Sequence, residues 1–204
     1  MIGILISVLA GLLFSNVFEW FAHKYVLHGI RTPEGRKSPR ATSMKSHWAH
    51  HKLVRTREFH DEGYLEGYKN WRIRNEVNSL LALCVATSLA LPFAPFFTLA
   101  TWYSAGVYFY KHRKAHLDPA WAKRNLPWHY DHHVNANEDA NWCVTRPWFD
   151  YLMGTRVISS ADLQESNPLG IKLPKLFEAP LNRWVRRISP RAFAKLESAT
   201  TDPA

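Results

Sequence analysis

A chain of 204 residues makes about one domain, and 47% apolar, 14% aromatic and 21% charged residues exclude both a disordered segment and a purely transmembrane bundle. Two cysteines far apart, Cys84 and Cys143, exclude a disulfide framework. The net charge of +9 raises a polyanionic partner, which only the placement of the charges can decide.

Residues 1–22 carry a single charge, Glu19, and are long enough to cross a bilayer as a helix. The bland alternative is the core helix of a soluble protein. No basic n-region and no small-residue cleavage site precedes Glu19-Trp20-Phe21, so a cleaved signal is not expected. His23 and His28 follow, five residues apart and thus about 140° apart on an α-helix. They converge only if the helix loosens before Gly29, a natural breaker. Residues 29–46 read as a basic loop punctuated by Gly, Pro and Ser. His47, His50 and His51 then stand at i, i+3, i+4, one face of a helix that Ser43 or Ser46 is suited to cap.

His60 stands alone and reads as an ordinary surface or hydrogen-bonded core histidine. Residues 77–110 carry no charge and contain Pro92 and Pro95 near their middle. That pattern predicts two short helices, 78–91 and 95–111, folded back as a hairpin. Each arm is short for a full crossing at about 1.5 Å per residue. His112 and His116, four apart, share a face directly below the second arm. His129, His132 and His133 repeat the i, i+3, i+4 spacing on a helix that Asn125 and Pro127 are placed to start. Residues 156–176 read as a loop. Residues 181–188 form a basic amphipathic stretch that suits either an anionic membrane surface or a solvated tail.

None of the 26 Lys and Arg residues falls within 1–23 or 75–110. One crossing followed by a hairpin puts residues 24–74 and 111–204 on the same side. The positive-inside rule makes that side the cytoplasm and leaves the N-terminus outside. Trp20, Tyr25, Trp102, Tyr103, Tyr108 and Tyr110 fall near the ends of the apolar runs, as interfacial aromatics do. The charge is thereby explained without nucleic acid, and no nucleic-acid partner is expected.

Ten of the 11 histidines lie in the four groups. Neutral imidazole suits iron, zinc and copper, and ten ligands exceed the needs of one ion, so two ions are the economical reading. No His-Glu-x-x-His pattern supports a zinc hydrolase, and no Glu-x-x-His pair supports a carboxylate-bridged di-iron bundle. A non-catalytic haem-binding or metal-binding membrane protein stays open. Glu19 lies four residues before His23, so its carboxylate is placed to orient that imidazole from behind. The other reading is a headgroup-depth carboxylate in water.

The segments Glu19-Trp20-Phe21-Ala22-His23-Lys24-Tyr25-Val26-Leu27-His28-Gly29, His47-Trp48-Ala49-His50-His51, His112-Arg113-Lys114-Ala115-His116 and His129-Tyr130-Asp131-His132-His133 resemble the histidine boxes of the fatty acid hydroxylase and sterol desaturase superfamily. The run Asn141-Trp142-Cys143-Val144-Thr145 with residues 148–155 resembles the element after the last box. The resemblance spans residues 15–156, and its first box is closest to the carotenoid-ring hydroxylase branch. One crossing precedes that box here, where members commonly have more. The resemblance implies an all-α integral membrane oxygenase domain over 1–156, with membrane segments at about 1–22, 78–91 and 95–111, followed by a basic extension over 157–204. It further implies His23, His28, His47, His50, His51, His112, His116, His129, His132 and His133 as ligands of two iron ions, with zinc found in purified relatives. The implied reaction consumes O2 and two electrons from a separate ferredoxin-like or cytochrome donor. Its substrate would be a fatty acyl or sterol-like lipid, or a carotenoid ring, in a bacterial inner membrane or the endoplasmic reticulum.

Overall fold

The computed structural model describes residues 1–29, 31–32, 35–36, 42–136 and 139–201. Among them the chain forms ten α-helices and one small antiparallel ribbon, β1 (Arg31–Thr32) with β2 (Gly35–Arg36). The helices are α1 (Ile2–Phe21), α2 (Thr42–Thr56), α3 (Gly63–Glu66), α4 (Trp71–Ser88), α5 (Pro95–Leu117), α6 (Pro119–Asn125), α7 (Pro127–Val134), α8 (Trp148–Leu152), α9 (Lys175–Ile188) and α10 (Ala194–Thr201). A π-helical turn, Ala22–Leu27, extends α1.

In α1 only Gly11, Asn16 and Trp20 are buried, while Ile4, Leu5, Leu9, Leu13, Phe14 and Phe18 are exposed. Most of its apolar surface is thus exposed rather than packed in the core. Among the described residues it is the one helix long and apolar enough to cross a membrane. Its inner side packs on α5 at Gly11, where an added Cβ would lie 2.6 Å from the Phe97 carbonyl oxygen and 2.8 Å from the Ala100 Cβ. The Phe14 and Phe97 rings meet beside that crossing, with centroids 5.3 Å apart.

The apolar run 77–110 is a hairpin whose turn spans residues 89–94, with Pro95 at the first position of α5. Its arms are longer than their apolar cores. α4 starts at Trp71, where the Asn70 side chain accepts from the Arg72 N–H at 3.0 Å. α5 runs on through Leu117, so the second arm and His112 and His116 form one continuous helix. The arms are tied where the Trp102 Nε1–H donates to the Cys84 carbonyl at 3.0 Å.

Two sequence-level capping assignments differ in the structure. α2 begins at Thr42, which puts Ser43 and Ser46 inside its first turns, and Ser46 donates to the Ser43 carbonyl at 2.8 Å. α7 begins at Pro127 with Leu126 as the preceding cap, while Asn125, the last residue of α6, donates back to the Trp121 carbonyl within that helix. Proline's fixed φ suffices to start α7 without a side-chain cap.

Phe59, Ala115, Ala122, Leu126 and Trp128 form a core cluster that joins α5, α6 and α7. Burying Phe59 and Leu126 contributes about 1.5–3 kcal/mol each. Tyr151, Ile158, Val185, Ala192 and Phe193 form a second cluster, which packs the C-terminal helices onto α8.

Candidate metal centre

All ten grouped histidines are buried, and they converge. His23, His28, His47, His51 and His132 each offer one ring nitrogen within 4.8 Å of the others, and His50, His112, His116 and His133 do the same. His129 lies outside both sets by that measure but borders the second, its Nε2 3.3 Å from the His116 Nε2. The sets adjoin through His51 and His133, whose ring centroids are 4.2 Å apart. His60 is half-buried and belongs to neither set.

Four backbone elements make this convergence. The π-helical turn links residues i and i+5, so it stacks His23 and His28, with the His28 N–H donating to the His23 carbonyl at 3.0 Å. Their rings come within 5.1 Å. Gly29 then ends the turn with φ +74, a conformation natural to glycine. α2 supplies His47 and His51 to the first set but His50 to the second. α7 divides likewise, His132 to the first set and His133 to the second. Sequence spacing predicts one shared helix face, whereas the structure places the two sets side by side along that face. α5 contributes His112 and His116.

Proton placement shows what the sets are built to hold. His50 donates from Nδ1 to the Asp61 carboxylate at 2.9 Å, and His116 donates from Nδ1 to the Phe59 carbonyl at 2.9 Å. Burial lowers the pKa of both rings, that of His116 well below the ordinary imidazole value, which disfavours the charged form, and each Nδ1 donation turns the ring's Nε2 inward. Their two Nε2 atoms then face each other at 3.0 Å, a spacing that calls for a bound cation or a shared proton between the lone pairs. The first set repeats the pattern. His23 is held from Nδ1 by the Trp142 carbonyl at 2.5 Å, and its Nε2 faces the His47 Nε2 at 3.0 Å. His132 is held by the Ala140 carbonyl at 2.7 Å, and its Nε2 faces the His51 Nε2 at 3.2 Å.

Bonds of about 2.0–2.1 Å from two nitrogens to one ion put them about 3.0 Å apart at a right angle and about 3.4 Å apart at a tetrahedral one. The observed 3.0–3.3 Å separations fall in that interval. Among the described residues the Nε2 of His112, the Nδ1 of His51 and His129, and both ring nitrogens of His133 are buried without a hydrogen-bond partner. Buried polar atoms are rarely left so; an ion would occupy the His112 Nε2 and one nitrogen of His133, while the Nδ1 atoms of His51 and His129 lie on the side of the ring away from the inward-facing Nε2. The donor set of neutral imidazoles fits iron, zinc or copper.

The groups behind the ligands differ between the sets. The second set is backed by carboxylates: Asp61 behind His50, and Glu76 behind His112 at 2.6 Å. The Asp61 carboxyl is pushed up by burial, but His50 and Arg72 outweigh this and hold it at about 2. Tyr64 donates to Glu76 at 2.6 Å and lies 2.8 Å from the same His112 nitrogen. The Phe59 residue that serves His116 has φ +75, an uncommon backbone for a bulky side chain, and its ring stacks on His116 at 4.4 Å. The first set is backed by carbonyls of the loop at 140–142 instead.

Glu19 does not take the outer N–H of His23. It accepts from the Val144 N–H, the Thr145 N–H and the Thr145 hydroxyl, clamping the loop whose Trp142 carbonyl holds His23. The outer nitrogen of His23 is already taken by the Trp142 carbonyl, and the Glu19 carboxylate is engaged by the amides and hydroxyl at 144–145. Asp150 grips the same loop from its other side, accepting from Trp142 N–H at 2.9 Å and Cys143 N–H at 2.8 Å. Behind α7, the fully buried Arg156 donates to Asp131 at 3.0 Å and to Glu165 at 2.7 Å, which fixes the helix between His129 and His132.

Sequence reading missed Asp61, Glu76, Tyr64, Asp150 and Arg156. Glu76 directly precedes the uncharged run 77–110, but it has no histidine one helical turn away such as singled out Glu19. The carbonyls of Phe59, Ala140 and Trp142 have no sequence signal at all.

A cavity of about 240 Å³ opens onto His23, His47, His50 and His112, so it reaches both sets. Phe18, Ala22 and Val26 from α1 and its π-turn, Leu80 and Leu83 from α4, and Ala105 from α5 give it apolar walls. No family model, no curated protein and no solved structure matches this chain.

Proposed function

We propose that the protein is a membrane-embedded oxygenase of the fatty acid hydroxylase and sterol desaturase type, acting on an unactivated C–H bond of a fatty acyl or sterol-like lipid. The observation that carries this reading is the meeting of an apolar cavity with two adjoining all-histidine sets whose lone pairs face one another. When bound, two iron ions supply O2 activation, with two electrons from a separate ferredoxin-like or cytochrome donor.

The chain's own residues do the positioning. Asp61, Glu76 and the carbonyls of Phe59, Ala140 and Trp142 hold the imidazole protons on the outer nitrogens, which leaves the inner lone pairs free. Leu80, Leu83, Val26 and Phe18 exclude water and align an extended apolar chain along the cavity. Ring placement at the cavity's end then selects the carbon that reacts.

The apolar exposed α1 supports a membrane location, and the absence of Lys and Arg from 1–23 and 75–110 supports a cytoplasmic centre with the N-terminus outside. Asn16, Glu19 and Trp20 bond to residues 145–155, and His23 follows on the same continuous helix, so α1 is an integral part of the site. Cysteine labelling near the N-terminus and at Ala204 tests the topology, and both ends reacting from one side would refute it.

Metal content with a visible spectrum, followed by lipid profiling with and without the gene under labelled O2, tests the reaction. Two irons per chain, no Soret band and label in a lipid hydroxyl are expected. A Soret band points to the haem-binding alternative, and a single zinc to a hydrolase.

A further inference from the structure

Helix α9, near the C-terminus, carries an apolar face that is largely exposed among the described residues, with Leu181 half-buried at its edge. At about 100° per residue, Phe177, Leu181, Trp184 and Ile188 fall within an arc of about 60°. Phe177 is 56% exposed, Trp184 50% and Ile188 41%. The buried side of α9 is a different one: Val185 packs with Tyr151 and Phe193, and Glu178 accepts from Asn167 at 3.1 Å. Arg183 and Arg187 are exposed on the opposite flank of the apolar arc, and among the described residues neither takes part in an ion pair. Glu178 is the only acid in α9, and it faces inward. The outward side is therefore aromatic and aliphatic with a purely cationic border.

α9 also sits close to the end of the apolar helix. It packs on α8, and α8 packs on the last turn of α1: the Trp20 and Phe149 ring centroids are 5.4 Å apart, and the Trp20 Nε1–H donates to the Thr155 hydroxyl at 2.9 Å. Leu152 and Met153, at the end of α8, are likewise exposed.

We propose that α9 is a lipid-surface helix, with Phe177, Leu181, Trp184 and Ile188 in the headgroup layer of an anionic bilayer and Arg183 and Arg187 on its phosphates. An exposed face with unopposed cations suits a sheet of phosphates, and an apolar arc of this width suits the shallow burial of an interfacial helix. Only the identity of the bilayer, the one α1 enters, rests on the membrane reading above.

The test uses the full chain, one copy per lipid nanodisc, which removes a second copy as an occupant. Cys84→Ala leaves Cys143 as the only native thiol, and it is fully buried. A nitroxide is then placed by Trp184→Cys, by Ile188→Cys as an independent second site, by Leu9→Cys on α1, and by Asp162→Cys as an exposed control. In discs containing phosphatidylglycerol, labels at 184 and 188 are expected to be shielded from a water-soluble nickel chelate and open to oxygen. Arg183→Gln and Arg187→Gln should each lower the docked-to-free ratio about fivefold. Labels at 184 and 188 as nickel-accessible as the label at 162, with position 9 shielded, would overturn the proposal and leave the membrane reading standing. Position 9 open to nickel would overturn both. Shielding at 184 indifferent to the arginine changes and to phosphatidylglycerol would also refute the lipid surface.

Discussion

Glu19→Ala separates the two sets, because Glu19 reaches the first set only through a loop. The substitution removes three hydrogen bonds at once, from the Val144 N–H, the Thr145 N–H and the Thr145 hydroxyl. Two of these donors are backbone groups beside the fully buried Cys143 and Val144. Each stranded N–H costs about 1–3 kcal/mol, so the loop loses about 2–6 kcal/mol of local stability. The Trp142 carbonyl moves with it, and His23 loses the partner that fixes its ring. Losing such a partner lowers metal affinity about ten- to a hundredfold. Glu19→Gln keeps an amide oxygen for the backbone donors and should lose less.

The assay is chelator competition on the full chain, resolved into its two binding events, alongside thermal unfolding. Glu19→Ala is expected to weaken one event and Asp61→Asn the other, since Asp61 backs His50 in the second set. Unchanged affinities and unchanged unfolding in Glu19→Ala would refute the clamp. Weakening of the same event by both variants would refute the division into two sets.

Three further outcomes follow from the geometry. His60→Ala should leave metal content and turnover at the parent level, whereas His50→Ala should remove an ion; an equal loss from both in folded protein would refute the ligand assignment. In the metal-free protein, burial first and neighbouring imidazoles second hold His51, His116, His129 and His133 well below the usual imidazole pKa. The unfolded chain therefore takes up protons that the folded one refuses. Stability present above about pH 6.5 is lost as the pH falls through that value, by about 1.4 kcal/mol per pH unit for each ring. Denaturant unfolding between pH 7.5 and 5.5 checks this, and a flat profile would refute it. Arg156→Leu strands the buried Asp131 and Glu165 and should cost about 3–5 kcal/mol in the same unfolding assay, while a loss below about 1 kcal/mol would show that the network is dispensable.

The sequence already contained the helical class, the apolar N-terminal helix, the hairpin with Pro92 in its turn and Pro95 opening its second arm, and the ten histidines as one chemical population. These are legible because helix periodicity, proline geometry and imidazole spacing act within a few residues along the chain. The single departure from that spacing, His23 to His28, was legible as a demand that the helix loosen before Gly29, and the π-helical turn meets it.

Which imidazole serves which set depended on how α2 and α7 face each other across the centre, so neighbours such as His50 and His51, or His132 and His133, part company. The groups behind the ligands depended on contacts between residues far apart in sequence: Trp142 with His23, Phe59 with His116, Glu76 with His112. Glu19 marks the boundary between the two kinds of knowledge. Its position in an apolar run told that a buried carboxylate needs a partner. Only the packing of the loop at 142–145 against α1 decided that the partners are two backbone amides and a threonine hydroxyl rather than the histidine one helical turn away.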